Sequence, residues 1–227
     1  MQQSPARVPR RGIFSAGSTM RDFPTLIEAA EGLSTQIRIA ASLVVHLGGL
    51  RATVTDVRET LPARADVSVS QLTALELRDA YRAAEVVVVP LYPSDMDNGV
   101  NVILEAMAAG RPVVASRIPG QVDVITHGKT GYYVDPENPE DLRRMLVHLR
   151  DNPEEAERVA DEGRRYVASV HDLETFADNV RARLIEINGG QSSRATPWWA
   201  EASVSPDSLR TSGCRRSQTA GRLRASR

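Results

Sequence analysis

The sequence predicts an α/β domain whose parallel β-sheet carries helices on both faces. Short apolar, β-branched runs alternate with stretches of helical spacing along most of the chain. One run, Val86-Val87-Val88-Val89, is apolar at every position and ends at Pro90, as befits a strand covered on both faces. Gly and polar residues gather directly after several runs, at Gly17, at 90–101 and at 116–120. Those are the C-terminal strand ends, where ligands bind in such sheets.

Residues 12–16 form the first strand, closed by Gly17. A helix over 22–33 follows, because Phe23, Leu26, Ile27, Ala30 and Leu33 recur at helical spacing and Asp22 is placed to cap it. Residues 36–43 read as a second strand, and 51–55 and 66–69 as short ones. A helix over 72–84 leads into the Val86–Val89 strand. The alternation then continues with a helix at 100–109, a strand at 112–115, a short helix at 121–127 and a strand at 131–134. Three helices end the periodic part, over 139–150, 153–170 and 172–187.

At 227 residues and 41% hydrophobic, the chain can build one good core but not comfortably two. The predicted domain spans 10–188, between a polar 1–9 segment and an Arg-rich tail over 189–227, both expected to be disordered. Residues 1–188 carry 21 basic against 27 acidic residues, and 189–227 carry seven against two. Net charge is −1, so no basic field exists for nucleic acid. Cys214 is the single cysteine, which excludes a disulfide within the chain and fits the cytoplasm. No apolar run approaches the roughly 20 residues of a spanning helix. Peripheral contact with a membrane surface stays open.

His46, His127, His148 and His171 are scattered without metal spacing. There is no Ser/His/Asp arrangement, no Gly-x-Gly-x-x-Gly after the first strand and no Walker motif, which argues against a dehydrogenase or an NTPase. The chemistry concentrates in Asp97-Asn98-Gly99-Val100-Asn101-Val102-Ile103-Leu104-Glu105-Ala106-Met107-Ala108-Ala109-Gly110. Two carboxylates eight positions apart flank a Gly turn and a helix start. A helix N-terminus favours anions and carboxylates accept from hydroxyls, so the stretch suits a ligand with both phosphate and sugar groups.

That stretch resembles the donor-site motif of family-four glycosyltransferases of the GT-B fold, in which two Glu residues are separated by seven and Glu-Ala-Met-Ala-Ala-Gly closes the motif. Glu105 to Gly110 match; the first acid is Asp97, one methylene shorter. The resemblance implies a Rossmann-like half of a GT-B enzyme, the C-terminal, nucleotide-sugar-binding one. It implies transfer of a sugar from a nucleotide-diphosphate donor to an acceptor hydroxyl, with retention and without a metal or other cofactor. It places the ribose on Glu105, the donor sugar on Asp97, and the distal phosphate on backbone N–H groups of Asn98, Gly99, Val100 and Asn101. Glu105, flanked by apolar residues, reads as a buried carboxylate in need of a partner.

Arg21 stands where the family has a diphosphate-neutralising Lys, after Gly17, with Ser18 in place of the family's Arg. Gln71 and Leu72 occupy the place of the base contact, and Gly120 that of a structural Gly turn. Nothing in the chain supplies the acceptor site, so the resemblance implies a separate acceptor-binding domain or subunit. The alternative is a non-catalytic nucleotide-sugar-binding fragment or split subunit that needs an N-terminal partner.

Overall fold

Six strands lie side by side and all parallel: β1 (Ile13–Ala16), β2 (Ile37–Ala40), β5 (Val67–Ser70), β6 (Val86–Val89), β7 (Val113–Ser116) and β8 (Tyr132–Val134). Their spatial order is β5-β2-β1-β6-β7-β8. The remaining two, β3 (Leu43–Gly48) and β4 (Arg51–Asp56), form a separate antiparallel pair. The computed structural model describes residues 10–41, 43–48, 51–56, 61, 64 and 66–187. The expected disordered segments 1–9 and 189–227 lie outside them.

Successive strand residues feed opposite layers. Ile13, Ile37, Ile39, Val86, Val88 and Val114 face one core, with Leu26 and Ile27 of α1 (Phe23–Ala29) and Leu142 and Leu146 of α4 (Pro139–Asp151). Phe14, Val87, Val89, Val113 and Ala115 face the other, with Tyr81 of α2 (Ala74–Ala83) and Ile103 and Met107 of α3 (Val100–Ala108). Burial on both faces is why β6 reads as an unbroken apolar run. The fold is therefore the predicted Rossmann-like α/β sandwich.

Local chemistry starts the helices where they start. Asp22 accepts from Thr25 N at 3.2 Å ahead of α1. Thr73 and Glu76 form a reciprocal capping box on α2. Asn138 caps α4, with Pro139 in its first turn. Helix α5 (Pro153–Val170) packs against α3. The chain divides into two compact units at Asp178/Asn179, and α6 (Leu173–Ile187) begins in one and ends in the other.

Two expectations are corrected. The helix expected over 121–127 is a single 3-10 turn, Pro119–Gln121, followed by turns. The Tyr133 hydroxyl donates to Gln121 O and accepts from Ile125 N at 3.2 Å, which holds the backbone out of helical register. The strand expected over 36–43 stops at Ala40, and Leu43 belongs instead to the β3–β4 hairpin. Among the described residues no helix is long and apolar enough to cross a membrane.

Candidate functional site

From β1 the chain builds outward through β2 to β5, then returns to place β6 on the other side of β1 and continues to β7 and β8. The order reverses between β1 and β6, so a crevice opens beyond their C-terminal ends. The loops there are stitched together. Asp22 N donates to Pro90 O and Tyr92 N to Met20 O, each at 3.0 Å, and Arg21 bridges to Leu91. Leu91 N donates to Ser116 Oγ at 2.9 Å, which ties in the end of β7.

Arg21 is only 8% exposed. Its Nε donates to Ala16 O at 2.8 Å, and its Nη1 to Thr19 O at 3.0 Å and to Asn98 O at 2.6 Å. The guanidinium thus fastens the end of β1 to the loop before α3. Burial pulls its pKa down to about 10, against the opposing influence of Tyr81 and Asp97, so it remains charged at neutral pH. Gly17 has φ of +95°, and a Cβ there would lie 2.5 Å from Arg21 Nη2. Glycine lets the guanidinium come this close. Nη2 is the one guanidinium nitrogen without a hydrogen bond among the described residues. Only this Nη2 edge of Arg21 is left to meet a ligand without breaking one of these bonds.

At the start of α3 the acid has folded back. Exposed Asp97 accepts through Oδ1 from Gly99 N at 3.2 Å and Val100 N at 3.1 Å. It supplies the cap that Gly99 lacks as the residue before the helix. Two of the N–H groups expected to hold phosphate are thus occupied by this carboxylate. Asn98 gives its carbonyl to Arg21 and donates Nδ2 to Ser94 Oγ at 3.2 Å and Met96 O at 3.1 Å. Asn101 lies exposed in the first turn.

Beneath this loop, a Cβ on Gly120 would lie 2.4 Å from Met96 C, and one on Gly99 would lie 2.6 Å from Gln121 Oε1. Gln121 is fully buried, and its Nε2 donates to Ser116 O at 3.3 Å.

Glu105 projects from the second turn of α3 and is exposed, which corrects the expectation of a buried carboxylate. Its Oε2 accepts from the Tyr81 hydroxyl at 2.8 Å. Both flank a groove of about 340 Å³ between α2 and α3, lined also by Ala74, Leu77 and Arg78. Gln71 is exposed and Leu72 half-buried at the end of β5, two strands from β1. No described hydrogen bond joins them to Arg21, Asp97 or Glu105.

The structure therefore gathers Gly17, Arg21 and the 97–100 loop tightly, while Glu105 lies farther along α3, hydrogen-bonded to Tyr81. Gln71 and Leu72 share only the same end of the sheet. Sequence reasoning missed Tyr81 and Gln121. Leu77, Ala80, Tyr81 and Ala84 recur at helical spacing, a signal that turned Tyr81 inward; Gln121 had none.

An apolar cavity of about 290 Å³, lined by Ile13, Val86, Pro112, Leu146 and Leu149, opens at the opposite strand ends, away from these polar groups. Among the described residues no three of His, Cys, Asp and Glu converge to hold a metal.

A family model described as glycosyl transferases group 1 matches residues 13–152. The chain belongs to this family. The D-inositol 3-phosphate glycosyltransferase of Pseudarthrobacter chlorophenolicus is 44% identical over 94 residues, 40% of this chain and 22% of that enzyme. The sulfoquinovosyl transferase SQD2 of Arabidopsis thaliana is 34% identical over 135 residues, 57% of this chain and 24% of its own. This group 1 chain thus spans about a fifth to a quarter of the length of the curated relatives it matches.

The C-terminal domain of the group 1 protein LpcC from Francisella tularensis shares the fold, with a TM-score of 0.56 at 16% identity over 73% of this chain and 89% of that one. Anabaena HepE, solved with UDP and glucose, matches with a TM-score of 0.61 at 17% identity, covering 77% of this chain and 48% of HepE. The group 1 domain is thus the Rossmann-like half of a GT-B fold.

Proposed function

We propose that this domain holds a nucleotide-diphosphate sugar and takes part in its transfer to an acceptor hydroxyl, with retention and without a metal, as the family resemblance implies. The observation that carries this reading is the meeting, at the β1/β6 crevice, of a buried guanidinium and the N-terminus of α3, with Glu105 farther along the same helix. The distal phosphate takes the N–H groups of Gly99 and Val100. Asp97 leaves them and accepts from a sugar hydroxyl. Arg21, through Nη2, and the helix N-terminus offset the charge that grows on the leaving diphosphate. Glu105 accepts from the ribose, and the Gln71–Leu72 loop borders the base. A cytosolic setting, inferred from the lone Cys214, belongs to the same proposal.

Transfer needs an acceptor site. Val180, Leu184 and Ile187 recur along α6 within the second unit and are all exposed, Ile187 by 79%. Such an apolar stripe favours completion by an acceptor-binding domain or subunit. The test is thermal unfolding of the full chain with UDP-, GDP- and ADP-sugars, UDP first because HepE was solved with it. A ligand at 100 times its Kd stabilises by about 2.7 kcal/mol. One nucleotide class should raise the melting temperature, and Glu105→Ala should diminish that rise. A folded chain indifferent to all three classes would refute the proposal.

A further inference from the structure

We infer that Tyr81 is a positioning residue for Glu105, holding one carboxylate oxygen so that the other meets the ribose hydroxyls of a bound nucleotide; this rests on the donor-site reading above. Tyr81 is 3% exposed, and its ring meets Phe14 edge-on, with centroids 5.0 Å apart and planes at 88°. Packing therefore fixes the ring, and the ring fixes the hydroxyl. That hydroxyl donates to Glu105 Oε2 at 2.8 Å.

Glu105 is exposed, and among the described residues its carboxylate has no other hydrogen-bond or ion-pair partner. A free Glu on a helix surface samples many rotamers, and ordering it on binding weakens affinity. The tether removes much of that freedom beforehand. A carboxylate has about four acceptor sites on two oxygens, so one bond to Oε2 leaves Oε1 whole for a diol. Burial and the nearby Glu105 charge both raise the Tyr81 pKa, so the phenol stays a donor across the working pH range.

The experiment measures binding of UDP, GDP and ADP, each beside its 2′,3′-dideoxy counterpart, to the full chain by calorimetry. Wild type, Tyr81→Phe, Glu105→Ala and the double variant are compared. Tyr81→Phe keeps the ring against Phe14, and circular dichroism confirms its fold.

The expected result is an about five- to twentyfold loss in affinity for the best-bound ribonucleotide and none for its dideoxy form. The double variant should bind like Glu105→Ala alone, because the tether acts only through that carboxylate. Equal losses for ribo and dideoxy ligands, no loss at all, or additive losses in the double variant would each overturn the inference while leaving the donor reading in place. Should Tyr81→Phe fail to fold, Glu105→Gln decides: with Tyr81 intact the carboxamide oxygen keeps the tether and presents an amide to the diol, so ribose selectivity must drop. Retained selectivity overturns the inference. If wild type binds none of the three, the donor reading falls and this inference with it.

Discussion

Arg21 is the side chain on which the crevice closes. It satisfies the carbonyls of Ala16, Thr19 and Asn98 from a single planar group. Arg21→Ala leaves the buried Ala16 carbonyl and the half-buried Thr19 and Asn98 carbonyls short of donors and should destabilise the chain by about 2–4 kcal/mol in urea titrations. Arg21→Lys should recover only part, because an ammonium donates from one point and loses the fork. An Arg21→Lys variant as stable as wild type would show that the fork geometry is unimportant.

Asp97 is short enough to cap its own helix, and that shortness has a consequence. Asp97→Glu moves the carboxylate out by a methylene and weakens both bonds to Gly99 and Val100. The variant should lose about 1 kcal/mol of stability as the cap fails. It should also show a larger nucleotide-induced rise in melting temperature, because the two N–H groups are released to phosphate. Thermal unfolding with and without UDP checks both signs at once.

Among elements, the 119–127 segment matters most to the site without touching a ligand. Gly120 lies against the backbone of Met96 and Asp97 with no room for a methyl group. Gly120→Ala must push the Asp97 loop away from β7, at about 1–3 kcal/mol, and should blunt nucleotide binding as well. This segment also marks where the sequence stops being legible. The sequence suggested a short helix over 121–127, but the Tyr133 hydroxyl overrides local preference from eight to twelve residues away. The Glu105–Tyr81 bond is invisible for the same reason, since it joins two helices 24 positions apart. The central strand β6, by contrast, was plain in sequence, because burial on both faces fills all four of its positions with Val.

A second set of contacts ties β8, α4 and α5 together. Glu155 accepts from the Tyr132 hydroxyl at 2.8 Å and faces His148 Nε2 at 3.1 Å. The Tyr132 hydrogen bond, then the His148 and Arg158 charges, hold its carboxyl below the ordinary value of 4.5. A carboxyl depressed by folding adds stability above its unfolded pKa and loses it as pH falls through the folded one. Glu155→Gln should therefore melt below wild type at pH 7, and the gap should close as pH drops below about 4. Melting curves at pH 7, 5, 4 and 3 report this; a gap constant with pH would assign the effect to packing.

For the whole molecule, the decisive question is what one Rossmann-like half can do alone. The fold class was legible from alternation and from one four-valine run, and the motif around Glu105 pointed to the crevice. What sequence could not supply was how Asp97 and Arg21 are engaged, since both bind backbone groups that only the folded loops bring near. The same folded loops present a buried guanidinium beside a helix N-terminus, but no general base and no acceptor pocket are evident among the described residues. Binding and transfer should therefore separate. The full chain should bind its donor yet release nucleoside diphosphate no faster when candidate acceptors are added, because the described residues offer no pocket to hold an acceptor hydroxyl near the anomeric carbon. Coupled-enzyme detection of the released diphosphate, with and without a panel of hydroxyl-bearing acceptors, measures this directly. Acceptor-dependent turnover by this chain would mean that it builds an acceptor site of its own.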